Sequence, residues 1–282
     1  MKFNLKWYLT VCFSSVMFVL LPLSVHAQDL PAYESNDPLV ENPWEVGTEV
    51  GYIRYKEPSL GVEFKGMVYG IYGIYNYRLT EETALARYLN VLHVDGHLDY
   101  SIVDYKGTGT ASNINDFIFE PRIWLGKDFR FNEGRVTPYV GLGYRRLFDN
   151  FSSVDGGYDR ISQYLYAPVG FELAMPLAAQ WHALFNPEFD IFIHGWQDSQ
   201  LGDSNSAYPN IPNQQKKGYG LRGSVQLWRK FNNFTFSVTP YVRYWNIKQS
   251  DIVTKTGSVF IVTGYEPANT SMEIGSKIGV AF

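Results

Sequence analysis

The amino-acid sequence predicts an all-β fold, a transmembrane antiparallel up-and-down β-barrel of about ten strands. Apolar residues alternate with small or charged ones along many segments, which is the period of a strand whose two faces meet different surroundings. The connections between these segments alternate between long and short, as in outer-membrane barrels. The chain also has 21 Tyr, 19 Phe and 7 Trp among 282 residues, and such an excess is typical of barrels with aromatic girdles at both membrane interfaces.

The N-terminus has the pattern of a secretory signal peptide. Lys2 and Lys6 precede an apolar run at 7–23, and a small-x-small site ends at Ala27, so we expect cleavage after residue 27. An N-terminal transmembrane anchor is the alternative. Residues 28–43 carry three prolines and four acids, which predicts a loose periplasmic lead-in to a barrel domain at 44–282.

Composition excludes several classes of protein. The one cysteine, Cys12, lies inside the predicted signal peptide, so the processed chain would have no disulfide, thiol nucleophile or cysteine-bound metal. With 24 basic and 28 acidic residues and no basic run, the chain lacks the charge pattern of a nucleic-acid-binding protein. After the signal, no apolar run approaches the roughly 20 residues of a spanning helix, so strands would have to cross the membrane.

Ten strands are predicted in order along the chain. They cover residues 44–56, 66–79, 83–101, 115–129, 135–148, 160–174, 180–196, 218–228, 234–247 and 269–282. Long loops are expected after residues 57, 102, 149, 197 and 248, the last with a small hairpin at 258–263, and short turns after residues 80, 130, 175 and 229. A soluble barrel of lipocalin type would need an apolar interior, whereas here the charges fall on the face with small residues.

Each strand is assigned from the residues that lie on the same face. The predicted outward sets begin with Val46, Thr48, Val50 and Tyr52; then Met67, Tyr69 and Ile71; then Leu92, Val94, Leu98 and Tyr100; then Phe117, Phe119, Ile123 and Leu125; then Val136, Pro138, Val140 and Leu142; and later Phe185, Phe189, Ile191 and Ile193. Gly141 and Gly143 lack the helix pattern and third glycine of a nucleotide-binding fingerprint. We interpret them as inward glycines that make room for long lumenal side chains.

The last strand, residues 269–282, shows the alternation most clearly. One face carries Met272, Ile274, Ser276, Ile278, Val280 and Phe282, and the other carries Ser271, Glu273, Gly275, Lys277, Gly279 and Ala281. An open sheet edge in hydrocarbon would leave backbone groups without hydrogen bonds. We therefore expect this strand to close a barrel against residues 44–56.

Several motifs together resemble those of uncharacterised bacterial outer-membrane β-barrel-domain proteins. They are E-P-R-I-W-L-G at 120–126, T-P-Y-V-G-L-G-Y-R at 137–145, F-D-I-F-I-H-G-W-Q-D-S at 189–199, K-G-Y-G-L-R-G-S at 217–224 and the terminal Phe282. The resemblance covers the mature chain and implies fold and location, with both termini periplasmic and Phe282 as a barrel assembly signal. It carries no known chemistry, so it assigns no functional residue.

The inward face is predicted to be charged and close to balance. The inward acids are Glu45, Glu49, Asp95, Asp99, Asp116, Glu120, Glu172, Glu188, Asp190 and Glu273, and the inward bases are Arg78, Arg87, Arg122, Arg145, Arg160, Arg222, Arg243 and Lys277. Buried charges are tolerated when they are paired and hydrogen-bonded. Because about eight strands already enclose a lumen that side chains fill, ten strands with long Arg and Glu side chains predict a largely plugged interior.

One pattern on the inward face could carry chemistry. His93, Asp95, His97 and Asp99 alternate along the third strand, and Asp190 and His194 are expected at a similar level of the seventh, near the extracellular rim. Carboxylates beside a histidine could activate water, in outline like the ten-stranded omptin proteases, although no omptin motif is present. A metal bound by His93 and His97 is a weaker option, because residues i and i+4 of a strand lie roughly 13 Å apart.

These observations predict a bacterial outer-membrane protein of the Gram-negative envelope with a structural or surface-binding role. A narrow solute channel and a hydrolase that uses the lumenal His and Asp residues are the alternatives. The expected partners are the lipid bilayer, lipopolysaccharide, the outer-membrane insertion machinery and an extracellular ligand of the loops, without nucleic acid or cofactor. Arg54, Lys56, Arg146 and Lys248 lie at the upper strand ends, where they could contact lipopolysaccharide phosphates or pair with loop residues.

Overall fold

The computed structural model describes residues 43–79 and 85–282. The predicted signal peptide, almost all of the lead-in and the turn at 80–82 lie outside the described residues. Fourteen strands follow in order: β1 (Trp44–Glu57), β2 (Val62–Arg78), β3 (Val91–Lys106), β4 (Thr110–Gly126), β5 (Phe129–Phe131), β6 (Gly134–Asp149), β7 (Arg160–Pro176), β8 (Trp181–Ser199), β9 (Ile211–Gln215), β10 (Gly218–Lys230), β11 (Thr235–Ile247), β12 (Val253–Thr256), β13 (Ile261–Gly264) and β14 (Asn269–Ala281). Short 3₁₀ helices lie at Leu85–Arg87, Phe151–Ser153, Ala178–Gln180 and Leu201–Asp203.

Ten long strands form a closed antiparallel barrel, which confirms the predicted fold class. The order around the wall is β1, β2, β3, β4, β6, β7, β8, β10, β11 and β14, and β14 pairs with β1 to close the ring. In that closing pair Glu45 lies opposite Ala281 and Lys56 lies opposite Thr270. Every wall strand therefore has a hydrogen-bonded neighbour on both sides, as hydrocarbon requires.

The two faces of the wall follow the predicted alternation. Apolar side chains are exposed on the outside, among them Val50, Ile71, Ile123, Val140, Phe189, Ile191 and Ile274, whereas all ten predicted inward acids are buried. An apolar exterior over a charged interior is the arrangement of a barrel in lipid. In the part of the chain that the structure describes, no helix has the length and apolar character to cross a membrane.

The glycine interpretation holds for Gly143 in β6. A Cβ atom on this residue would lie 2.2 Å from Cζ of Tyr166, a distance that no packed side chain tolerates. Tyr166 is fully buried, so the glycine provides the space that lets the phenol ring lie flat across the inner wall.

The third strand was predicted to begin at residue 83 and in fact begins at Val91. Its neighbours determine this limit, because Val91 pairs with Arg78 and with Gly126, the terminal residues of β2 and β4. The preceding residues have no strand to pair with and form a 3₁₀ turn, where Arg87 is exposed. Arg87 is therefore not a lumenal base, and the connection between β2 and β3 is longer than the predicted short turn.

Three long connections lie at one end of the barrel, which we call the loop end. The opposite end, which has the connection between β2 and β3 and residues 127–133, 177–180 and 231–234, is the turn end. The loop end carries residues 150–159, 200–217 and 248–268. The connections predicted to be long after residues 57 and 102 are only four and three residues, because β2, β3 and β4 continue past the predicted strand ends. Part of the fourth loop forms β9, which extends along β8, and the hairpin expected at 258–263 is present as β12 and β13.

Candidate functional site

A network of ion pairs crosses the middle of the lumen. Asp95 on β3 lies between two histidines, with its carboxylate oxygens 3.0 Å from Nε2 of His93 and 3.2 Å from Nε2 of His97. The same carboxylate accepts a hydrogen bond of 2.9 Å from Nε of Arg122. Arg122 donates another of 2.7 Å to Glu188 on β8, so the network joins strands that are not neighbours in the wall.

Arg222 on β10 extends this network to the far side. Its guanidinium lies 2.7 Å from Asp190 and 3.3 Å from Glu188, and it also bonds Glu120 on β4. Glu120 in turn accepts a hydrogen bond of 2.5 Å from the Tyr166 hydroxyl. All these groups are buried or nearly so, and charge-assisted bonds of this kind offset the cost of removing them from water.

A second branch of the network centres on Arg243 of β11. It donates to Glu49 on β1 at 2.9 Å and to Glu273 on β14 at 3.1 Å. Glu49 also lies 3.3 Å from Nδ1 of His97 and 4.0 Å from the Lys277 ammonium. His97 therefore joins the two branches, since it contacts both Asp95 and Glu49.

Two small cavities border this network. The larger, of about 90 Å³, is lined on the turn-end side by polar groups that include Glu45, Glu172 and Lys277, and a smaller one of about 50 Å³ lies beside Arg122 and Arg243. Volumes of this size hold a few water molecules beside polar partners.

Two clusters of buried apolar side chains lie in the lumen between this network and the loop end, and we call them the plug. They are Ile53, Phe64, Val68, Val103, Ile114 and Ile118 on one side, and Tyr164, Tyr166, Phe192, Trp245 and Ile247 on the other. Together they come from seven of the ten wall strands. Their rings meet in edge contacts, such as Tyr166 on Trp245 with centroids 5.0 Å apart. The plug thus separates the charged centre from the loop end.

A third polar cluster lies above the plug around Arg160. Its guanidinium bonds Glu57 at 2.7 Å and Asp149 at 2.9 Å, and it lies 3.9 Å from Glu266 in the loop before β14. Glu57 and Arg160 belong to β1 and β7, which face each other across the barrel. The pair therefore ties opposite walls together.

Glu266 connects the last loop to this cluster. Its carboxylate accepts a hydrogen bond of 3.3 Å from the Tyr55 hydroxyl, and its backbone N–H donates to Ser250. Burial, together with nearby Glu57 and Asp149, raises the pKa of Glu266 from its ordinary 4.5 to about 7, against the opposing effect of Arg160. Its protonation therefore changes near neutral pH.

The six predicted catalytic residues do not meet in one site, although His93 and His97 both contact Asp95. Asp190 lies at the midpoint of β8 on Arg222, whereas His93, Asp95, His97 and Asp99 lie in the turn-end half of β3. Asp190 and the β3 residues therefore lie on the turn-end side of the plug, away from the loop end. Asp99 is 3.7 Å from Arg243, so it borders the second branch of the network.

His194 is not a lumenal residue. The pairing of β7 with β8 shifts by one residue, with Leu165 opposite His194 and Tyr166 opposite Phe192, so Ile193 forms a bulge. Beyond a bulge the alternation of a strand changes phase. Gly195 and Gln197 face inward instead, and the His194 ring lies against the exposed Trp196 with centroids 4.5 Å apart.

A metal site is not formed by these histidines. Among residues 43–79 and 85–282, no group of three or more His, Cys, Asp or Glu side chains is placed to hold a metal ion. His93 stacks on Trp124 with centroids 4.4 Å apart and also contacts Asn76. Its ring is held by the wall instead of being presented to an ion.

The four bases expected at the upper strand ends have different environments. Arg54 is paired with Glu63 at 2.7 Å, which is the ordinary surface pairing considered above. Arg146 and Lys248 are exposed, and Lys56 is half-buried.

The partners of Arg160 were not predicted from the sequence. Glu57 was assigned to a loop and Glu266 was not considered, because neither belongs to the segments in which alternation was traced. The available signal was the continued alternation after residue 56, where Glu57 keeps the inward phase of Glu45 and Glu49. Arg135, which is almost fully buried near Asp128 at the turn end, was also not listed as an inward base, although it is the first residue of the predicted fifth strand and has the phase opposite to the outward Val136.

The closed barrel, its apolar wall and its charged interior define the chain as a transmembrane β-barrel of the kind found in bacterial outer membranes. No family model matches the chain, and no curated protein matches its sequence. Among solved structures it is similar to the outer membrane protease OmpT from Escherichia coli, with 8% identity, a TM-score of 0.49 and coverage of 86% of this chain and 97% of that one. It is also similar to the translocator domain of autotransporter NalP from Neisseria meningitidis, with 9% identity, a TM-score of 0.35 and coverage of 97% of each chain. A third similar structure is Neisserial surface protein A, with 13% identity, a TM-score of 0.31 and coverage of 86% of this chain and 99% of that one.

Proposed function

We propose that this chain is a bacterial outer-membrane protein whose barrel is occluded and whose interaction surface is its loop end. The observation that carries the proposal is the plug between the charged centre and the loop end. The ion pair between Arg160 and Glu57 above it joins walls that face each other across the barrel. A lumen tied in this way serves as a rigid support for loops.

A narrow solute channel fits the interior less well. A path for polar solutes would have to pass the apolar plug, where residues such as Val68 and Ile114 are fully buried. It would also have to break paired charges at the centre, and an uncompensated buried charge costs several kcal/mol, roughly. The cavities beside the network hold only a few waters, so they support an internal hydration site.

A hydrolase in the lumen also fits less well. Asp95 is engaged by Arg122 and two histidines, and Asp190 is engaged by Arg222. A general base needs a free lone pair within reach of a substrate proton. With His194 on the outer wall, the expected pairing of this histidine with Asp190 is lost.

The proposed setting of the barrel is the outer membrane with the loop end outside. The exposed Arg146 and Lys248 would then lie near lipopolysaccharide phosphates, and the strand ending in Phe282 would be recognised by the insertion machinery. Charge-assisted bonds from such bases suit phosphate groups. Loops such as residues 200–217 would provide contacts with extracellular ligands.

Single-channel recording in planar bilayers tests the occlusion. We expect no discrete conductance steps from the wild-type protein. The positive control is a variant that combines Phe64→Ala, Phe151→Ala and Arg160→Ala. It removes the contact between the Phe64 and Phe151 rings, whose centroids are 5.8 Å apart, and the ion pair between Arg160 and Glu57. This variant should produce conductance steps, which would show that the assay detects an opened lumen. Stable steps from the wild type, at a level similar to the variant, would contradict the proposal.

A further inference from the structure

Two acidic residues face each other in the loop-end part of the lumen. Asp116 on β4 lies directly opposite Asp149, the last residue of β6, and their carboxyl groups lie within hydrogen-bonding reach of each other. The two residues are only 8% and 4% exposed. Like charges directly opposite each other destabilise a sheet, and two adjacent carboxyl groups in a buried site cannot both ionise without a large cost.

The protein supplies a donor to only one oxygen of each carboxyl group. Oδ2 of Asp149 accepts hydrogen bonds of 3.0 and 2.9 Å from Nε and Nη2 of Arg160, and Oδ2 of Asp116 accepts one of 3.4 Å from the Ser101 hydroxyl. Both Oδ1 atoms are buried, and no donor among the described residues bonds them. A proton between the two carboxyl groups would satisfy both oxygen atoms at once.

The surrounding charges are mostly acidic and cannot take the place of this proton. Arg160 is bonded to Asp149, but it is also shared by Glu57 and Glu266. If these three carboxyl groups and Asp116 were all ionised against one guanidinium, three negative charges would be uncompensated. The charged and titratable groups around the pair are Arg160 on β7, Glu57 and Tyr55 on β1, Tyr158 and Asp159 in the loop before β7, and Glu266 in the last loop.

The pair lies on a short, separate part of the ladder between β4 and β6. Register pairs join residues 116–119 to residues 146–149, and they resume only at Arg122. Pro121, in the gap, has no N–H group to donate to the ladder. The loop-end parts of β4 and β6 are thus joined by few register pairs, so a bond between their side chains contributes to holding them together.

We propose that Asp116 and Asp149 share one proton, which clasps the loop-end parts of β4 and β6 together. Asp149 keeps its negative charge against Arg160, and neutral Asp116 donates a hydrogen bond to Oδ1 of Asp149. At alkaline pH Asp116 releases the proton to solvent water, and repulsion between the two carboxylates loosens the clasp. Ile114 and Ile118 of the plug flank Asp116 on the same face of β4, so the clasp also fixes one side of the plug. It does not depend on what the loops bind and therefore goes beyond the proposed function.

Infrared spectra of the barrel in lipid nanodiscs detect the proton directly. At about pH 6 an ordinary aspartate is ionised, so the C=O band of neutral carboxyl groups reports buried protonated ones. Asp116→Asn should remove part of this band, whereas Asp95→Asn should leave it unchanged, because Asp95 is ionised beside Arg122. An identical band in the wild type and in Asp116→Asn would overturn the shared proton.

Urea titrations separate a neutral Asp116 from a charged one. The amide of asparagine has the shape of a neutral carboxyl group and can donate to Asp149, so Asp116→Asn should leave the urea midpoint at about pH 7 unchanged. Asp95→Asn should lower the midpoint, because Arg122 loses a charged partner. A loss in Asp116→Asn as large as in Asp95→Asn, or its failure to fold, would contradict the proposal.

Hydrogen exchange tests the clasp and its pH dependence. The barrel holds the shared proton at a pH where an unfolded chain has lost it, so the stabilisation is present at low pH and is lost as pH rises. From about pH 7 to 10, the protection factors of the amides at 116–119 should fall in the wild type and stay constant in Asp116→Asn, while those at 122–126 stay constant in both proteins.

Two results of this experiment would overturn the clasp. An equal fall of protection at 116–119 in the wild type and in Asp116→Asn would assign the pH effect to other groups. Loss of this protection at about pH 7 when EDTA is added would show that a bound divalent cation, and not a proton, joins Asp116 to Asp149.

Discussion

Single charges inside this barrel differ in importance according to their surroundings. Arg222 bonds Asp190 and Glu120 inside the lumen, and its side chain is 8% exposed. Arg54 has one partner, Glu63, and its side chain is 51% exposed. Removing a buried partner leaves uncompensated charges, whereas a surface pair is largely replaced by water.

Arg222→Met should therefore lower the free energy of unfolding by about 3–5 kcal/mol, because Asp190 and Glu120 lose their shared base. Adding Asp190→Asn should recover part of this loss, because Asp190 forms its salt bridge with Arg222, whereas Glu120 keeps Arg145 as a partner. Urea titrations of the protein in lipid vesicles, followed by tryptophan fluorescence, measure these changes. Arg54→Met is the control and should have little effect; an equally small effect of Arg222→Met would show that the central network is not stabilising.

At the scale of elements, the last loop and the terminal strand are held by different means. The loop at 248–268 is tied to the barrel through Glu266, whose N–H and C=O groups bond Ser250 and whose carboxyl meets Tyr55. The terminal strand is held by its backbone, since Phe282 and Trp44 exchange hydrogen bonds of 2.9 and 3.3 Å.

Docking of the last loop should weaken as pH rises. Because the pKa of Glu266 is about 7 in the docked loop and 4.5 ordinarily, the carboxyl group binds its proton more tightly when the loop is docked than when it is undocked. Docking is therefore strongest below pH 4.5, declines between about 4.5 and 7, and then stays constant, with a total change of about 3 kcal/mol. The mobility of a spin label at Ser258→Cys, measured from pH 5 to 8, checks this. In Glu266→Gln the label should show no such change, and the same pH response in that variant would assign the effect elsewhere.

Phe282→Asp should impair assembly in cells more than it changes the folded barrel. The Phe282 side chain is 58% exposed at the end of the wall, and a charge near the membrane interface costs only about 0–1 kcal/mol. Refolding into vesicles should thus be nearly normal, while the amount in the outer-membrane fraction should fall, with Phe282→Tyr as the control. Normal accumulation of the Asp variant in cells would argue against a role of this residue in assembly.

At the scale of the whole molecule, the sequence predicted which residues face inward but not which of them meet. Alternation along one strand assigns a face, so all ten predicted acids are buried. It contains no information about partners across the lumen, such as Glu57 and Arg160. His194 was misplaced because one extra residue in β8 reverses the phase, and Arg87 was misplaced because strand length depends on the neighbouring strands. Such features depend on pairing between segments that are distant in the sequence.

The cross-lumen contacts also have a consequence for how the barrel forms. Arg160 and Glu57 are separated by 103 residues, Arg243 and Glu49 by 194, and Tyr55 and Glu266 by 211. Contacts of such high sequence separation form late, since the chain between them must first be ordered. Until β14 meets β1, these charges would lie in the membrane without their partners from across the lumen. The interior thus favours a cooperative final step, in which closure of the ring and neutralisation of its charges occur together.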